Sequence, residues 1–110
     1  MFIAMNRFQI APGSEGEFEQ VWLSRDSHLQ GVPGFVEFHM LRGPEREDHI
    51  LYASHTVWAS RETFTDWTNS EAFRAAHRGA GQNKRTYLGP PEFEGFEVIQ
   101  TVNKLAGRPA

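Results

Sequence analysis

Residues 2–10 alternate strictly, and this alternation constrains everything downstream of it. Phe2, Ala4, Asn6, Phe8 and Ile10 fall on one side, while Ile3, Met5, Arg7 and Gln9 fall on the other. A period of two is the period of a β-strand, whose side chains leave its two faces in turn. Pro12-Gly13 ends the run, and the period then changes. Phe18, Val21, Trp22 and Leu29 recur at helical spacing behind Ser14, with Glu17 three residues on as in a capping box. The pattern predicts an amphipathic helix over residues 15–29, stopped by Gly31, Pro33 and Gly34.

The same reading continues along the chain. Phe35–Leu41 and Ile50–Trp58 read as strands, joined by a polar turn from Arg42 to Asp48. Ser60 is placed to cap a second helix bearing Phe64 and Trp67. Asn69 or Ser70 is placed to cap a third, with Phe73, Ala76, His77 and Ala80 along one side. A polar, Gly- and Pro-bearing stretch spans residues 82–91, and Phe93–Thr101 reads as a last strand. The order β-α-β-β-α-β predicts an α+β, ferredoxin-like fold with helices on one face of a four-stranded antiparallel sheet. At 110 residues the chain is expected to be one domain, with a frayed tail from about residue 103. The other sheet face still carries apolar side chains, so a homodimer formed sheet to sheet is expected.

Composition narrows the function. The chain has no cysteine, which excludes iron–sulfur ligation, thiolate haem ligation and a cysteine nucleophile. A net charge of −3 argues against a nucleic-acid surface. The start of the chain lacks the basic and apolar regions of a signal peptide, and no stretch approaches the ~20 apolar residues of a membrane span. A soluble, cytoplasmic protein with no membrane partner is expected. No closely spaced histidine pair occurs, so a zinc site is not expected; no Gly-rich phosphate loop or nucleophile elbow is visible, and without a flavin or nicotinamide fingerprint neither cofactor is expected to be bound by this chain.

Three residues exceed what the fold requires. Asn6 interrupts an apolar strand face, either as a core amide bonded to backbone or as a donor pointing into a cleft. His77 shares a helical face with Phe73, either as a hydrogen-bonded core histidine or as a haem or metal ligand. Trp67 pairs with Phe64 at i, i+3, as core or as the wall of a cleft. The remaining histidines compete for the ligand role. His28 falls near the end of the first helix, His39 alternates with Glu37, His49 borders the turn, and His55 shares a face with Leu51, Ala53 and Val57.

The opening Met1-Phe2-Ile3-Ala4-Met5-Asn6-Arg7-Phe8 and the continuous segment from Phe64 through Trp67 and Phe73 to His77 together resemble the IsdG-type haem-degrading monooxygenases of the antibiotic-biosynthesis-monooxygenase superfamily. The resemblance implies a dimeric α+β barrel with one haem per subunit between helices and sheet. It implies His77 as the proximal iron ligand, Asn6 as a distal hydrogen-bond donor and Trp67 as the bulk that bends the porphyrin. Phe73 and Arg25 are the implied haem contacts, Arg25 toward a propionate, with Arg78, Lys84 and Arg85 as further candidates. The implied activity is haem oxygenation: haem is both substrate and cofactor, O2 and an external electron donor are consumed, and iron and a bilin-type product are released, as in iron acquisition. Three other readings stay open on the residues alone: a cofactor-free quinol or polyketide monooxygenase of the same superfamily, a haem carrier or sensor that never cleaves its ligand, and a dimeric barrel of structural or regulatory use with Asn6 and His77 satisfied in the core.

Overall fold

The computed structural model describes residues 1–25, 28–76, 86–104 and 108–109. In chain order the elements are β1 (Phe2–Ile10), α1 (Glu15–Ser24), β2 (Phe35–Glu45), β3 (Ile50–Trp58), α2 (Arg61–Thr68), α3 (Glu71–Ala76), β4 (Glu92–Glu97), β5 (Val102–Asn103) and β6 (Arg108–Pro109). The main sheet has the order β2-β3-β1-β4 with every pairing antiparallel. This is the α+β, ferredoxin-like arrangement that the alternation predicts.

Directly opposed residues of an antiparallel pair share a sheet face. Phe2 faces Trp58 and Glu97, Asn6 faces Ser54 and Phe93, and Ile10 faces Ile50. The even-numbered side of β1 is thus the side the helices cover, and its core falls into two clusters. Phe8, Ile10, Phe18, Ile50 and Tyr52 form one, edged by Trp22, Met40 and Tyr87. Phe2, Ala4, Leu29 and Trp58 form the other, edged by Val32, Phe35, Phe38, Phe64 and Trp67. Each large side chain so buried contributes roughly 1.5–3 kcal/mol relative to exposure. Gly95 has a specific steric task here: a Cβ on it would lie 2.5 Å from the Phe2 ring.

Several boundaries differ from the sequence expectation, each for a local reason. α1 ends at Ser24 instead of residue 29, and Arg25 is its extended C-cap. The Ser24 hydroxyl donates to the carbonyls of Gln20, at 2.8 Å, and Val21, at 3.2 Å, offering the last turn an alternative to further helix. His28 therefore lies outside the helix, at φ 57, and Leu29 enters the core from coil. Ser14 makes no side-chain cap. Its carbonyl starts the helix by accepting from Phe18 N–H at 2.9 Å, and Glu15 and Glu17 oppose the positive end of the dipole. Ser60 does cap α2, reciprocally with Thr63, and Ser70 caps α3 by accepting from Phe73 N–H at 3.2 Å. Asn69 instead closes α2.

β2 runs on to Glu45, so the polar turn shrinks to residues 46–49, closed by Arg46 N–H to the His49 carbonyl at 2.7 Å. Pro44 is tolerated because β2 is an outer strand, with a register shift between Arg42 and Glu45. β4 stops at Glu97, not Thr101, because Val98 N–H already bonds the Met1 carbonyl and β1 offers no further partner. Beyond β4, β5 and β6 form a short antiparallel pair, Val102 opposite Pro109 and Asn103 opposite Arg108.

The first cluster carries a testable titration. Tyr52 is buried and donates its hydroxyl to the Glu19 carboxylate, which also accepts from Arg42 at 3.0 Å. Burial first, and the neighbouring Glu19 carboxylate second, push the phenol up to about 12. Only the folded chain holds the phenol neutral so strongly. Its contribution is therefore intact below the ordinary value near 10 and is lost as pH rises from about 10 to about 12. Thermal midpoints of the wild type should fall more steeply than those of Tyr52→Phe over that interval. Parallel curves would show that another group is responsible.

Candidate active site

A row of four side chains crosses the covered face, from Met40 in β2 through Ser54 and Asn6 to Phe93 in β4. The next row is Phe38, Thr56, Ala4 and Gly95. Ser54 and Thr56 are buried, and Asn6 is half-buried. A short polar strip thus lies between the two apolar clusters on the covered face. A half-buried amide in such a strip is wet enough to be stable and enclosed enough to direct a hydrogen bond.

Aromatic rings border the strip on both flanks. Phe93 is 51% exposed although it lies on the covered face, so the helical layer leaves an opening beside Asn6. Phe93 stacks on Phe64, at 5.7 Å between centroids and 7° between planes. On the other flank Phe38 stacks on Trp22, at 6.1 Å and 15°. The arrangement suits a flat, largely apolar molecule contacted at one point by an amide.

Trp67 is half-buried at the junction of α2 and α3. Its ring lies 5.2 Å from Trp58, 6.1 Å from Phe64 and 4.8 Å from Phe73, the last edge-on at 82°. Trp67 and Phe73 are therefore brought together, and Phe64 and Phe93 connect them to Asn6. Arg25 stands at the other cluster, its guanidinium 4.1 Å over the Trp22 ring. A guanidinium held over an aromatic ring keeps its N–H donors for a further partner such as a carboxylate. His77 lies outside the described residues, as do Arg78, Lys84 and Arg85.

Ser54, Phe38 and Phe93 escaped the sequence reading. The signal was present for Ser54: a small polar residue between Tyr52 and Thr56 on the same strand face as the core, overshadowed by His55 on the opposite face. The other histidines lie apart from the strip. His49 holds the Asp48 carboxyl below its usual range through a 2.8 Å hydrogen bond, and His39 and His55 face away from the helices. Among the described residues no group of three or more His, Asp or Glu side chains is arranged to hold a metal ion. Gly89, Pro90 and Pro91, from the polar, Gly- and Pro-bearing stretch, line a cleft of about 230 Å3 with Arg7, Gln9 and Leu51, on the other side of β1 from Asn6.

An antiparallel sheet of this order, with helices on one face over a polar strip walled by aromatics, defines a small α+β, ferredoxin-like scaffold with a candidate cleft beside Asn6. The chain belongs to the antibiotic biosynthesis monooxygenase family, whose model matches residues 1–79. Over 77 residues it is 31% identical to heme oxygenase (staphylobilin-producing) 1 of Staphylococcus aureus (strain Newman), spanning 70% of this chain and 71% of that protein. It superposes with a TM-score of 0.74 on the heme-degrader MhuD of Mycobacterium tuberculosis, solved with two hemes in its active site, at 30% identity over 94% of this chain and 100% of that one. SnoaB of Streptomyces nogalater, a cofactor-independent oxygenase, shares the fold at a TM-score of 0.67 and 23% identity, over 94% of this chain and 97% of that one. These matches bear out the resemblance carried by the Asn6 and Trp67 segments.

Proposed function

We propose that this chain is a haem-degrading monooxygenase that takes haem as substrate and cofactor. The observation that carries the proposal is the row through Met40, Ser54, Asn6 and Phe93: one half-buried amide between aromatic flanks, in a chain similar to two haem degraders. A porphyrin is flat and apolar over most of its area, and the Phe93–Phe64 and Phe38–Trp22 stacks supply matching walls. Bound haem supplies the iron chemistry that activates O2, with electrons from an external reductant.

The chain's own groups position and polarise. His77, next in sequence after α3, would hold the haem iron through a neutral ring nitrogen. Asn6 would offer its amide N–H to the bound ligand, where one preorganised donor is worth roughly 3 kcal/mol of barrier. Arg25, stacked over Trp22, would pair with a propionate, and Phe73 would pack against the macrocycle. Trp67 is braced by Trp58 and Phe73, and its bulk would be the group that distorts a bound porphyrin.

Trp67→Ala is expected to flatten the bound haem and slow its cleavage, with Trp67→Phe intermediate. Resonance Raman marker bands of the ferric complexes would report the flattening. A wild-type macrocycle that is already flat would remove Trp67 from this role.

A second copy of the chain is proposed to cover the open sheet face, where Leu41 and Phe96 stand 41% and 42% exposed beside Ile3 and Met5. Sedimentation should give about twice the 12.6 kDa chain mass; a species of one chain mass would refute it. No described helix is long and apolar enough to cross a membrane, and a cytoplasmic location is proposed with the dimer.

A further inference from the structure

β3 sets two hydroxyls in succession on the covered face of the sheet. Ser54 lies directly opposite Asn6 and Thr56 opposite Ala4, and the two are 6% and 8% exposed. The other residues that β3 turns to this face, Ile50, Tyr52 and Trp58, are large and 1% exposed or less. Asn6, Ser54 and Thr56 share one property: none of their side chains makes a hydrogen bond among the described residues. The proposed haem site uses Asn6 and gives the hydroxyls no task.

Folding does not account for Ser54. A hydroxyl withdrawn from water without a partner destabilises the chain, whereas an apolar side chain at the same place would add favourable burial. Thr56 is less telling, because its branched side chain suits a strand on packing grounds alone. An unpartnered hydroxyl beside a cleft is explained when a ligand supplies the missing partner.

The strand register says which part of a ligand that is. Directly opposed residues of an antiparallel pair have Cβ atoms about 4.5–5.5 Å apart, so the Asn6 amide and the Ser54 hydroxyl can reach one ligand atom between them. The outer positions of their row are Met40 and Phe93, whose side chains carry neither N–H nor O–H. A flat ligand lying along the row therefore meets donors only at its middle. A hydroxyl also turns freely between donating and accepting, so Ser54 can complement whichever edge of the amide faces the ligand.

We propose that Ser54 is a second catalytic residue of the haem site, donating its O–H to the same ligand atom that Asn6 contacts. This role rests on the haem reading of the site and extends it from one donor to a pair.

The test is the infrared spectrum of carbon monoxide bound to ferrous haem in the full chain, because hydrogen-bond donors beside the ligand lower its stretching frequency. The band should move to higher wavenumber in Ser54→Ala and in Ser54→Val. Ser54→Thr matches valine in shape and restores the hydroxyl, so its band should return toward that of the wild type. Single-turnover decay of the Soret band should slow by about tenfold in Ser54→Ala and Ser54→Val, near the worth of one neutral hydrogen bond, with haem affinity unchanged. The shift caused by Ser54→Ala should differ when Asn6→Ala is already present, since two groups on one partner are coupled. Circular dichroism establishes that each variant folds, and Ser54→Ala, which only removes an atom, decides the matter where a branched variant does not fit. A wild type that binds no haem would overturn the haem reading and this role with it. Haem binding with one unchanged band in wild type and Ser54→Ala, or with equal shifts in the valine and threonine variants, would overturn the role of Ser54 alone.

Discussion

His77→Ala is expected to lose tight, histidine-type haem binding while the fold persists. Loss of a group that merely orients a metal ligand costs about 10–100-fold in affinity, so loss of the ligand itself should cost more than about 100-fold. The Soret and visible bands of any residual complex should no longer be those of an imidazole-ligated haem. A neutral ring nitrogen is required for ligation, and an ordinary imidazole titrates near pH ~6.5. Protons and iron then compete for one site, so wild-type affinity should fall on acidification below about pH 6, and the variant's residual affinity should not share that dependence. A histidine-type spectrum in His77→Ala, together with a flat pH profile in the wild type, would assign the ligand elsewhere. His28, His39, His49 and His55 are the alternatives. His39 and His55 lie on the far sheet face, and His49 is engaged with Asp48.

Asn6→Ala should behave in the opposite way: haem binds, and turnover collapses. Removing one preorganised donor from a site where charge develops costs about 10²–10³ in rate. Single-turnover decay of the Soret band with an electron donor should slow by at least about 100-fold, while haem affinity changes by no more than about threefold. This split separates a donor from a packing residue, because a damaged pocket would weaken binding as well. Asn6 is half-buried and flanked by Ser54 and Phe93, so truncation opens no sealed core and the fold should tolerate it. Asn6→Asp, nearly the same shape but an acceptor when ionised, should not restore the rate. Normal turnover in Asn6→Ala would remove the amide from the mechanism.

Much of the scaffold was legible because it is written in short-range periodicity. β1 and β3 run over the predicted residues, since nine-residue alternation on a sheet with one covered face leaves little freedom of register. Errors arose where tertiary partners set the boundaries. Leu29 kept helical spacing with Trp22 yet reaches the core from coil, because Ser24 turns its hydroxyl back on the helix. Pro44 looked like a turn residue, although an edge strand accommodates it. Phe93–Thr101 read as one strand, but β1 ends at Phe2 and the ladder ends with it.

The site was legible in a different sense. Asn6 and Trp67 stood out as residues the fold did not need, but no period links positions 6, 54 and 93. Only the β3-β1-β4 register makes them a row. The cation stack of Arg25 on Trp22 was equally invisible, because it depends on the helix ending one residue earlier.

The most direct test of haem degradation is one titration. Purified chain is brought to stoichiometric haem, an electron donor is added under oxygen with catalase present, and the Soret band is followed together with free iron. Tight binding, then loss of the band with release of about one iron per haem and a bilin-type chromophore, is the expected result. A chain that fails to bind haem, or that binds it and leaves the Soret band intact with donor and oxygen present, would contradict it.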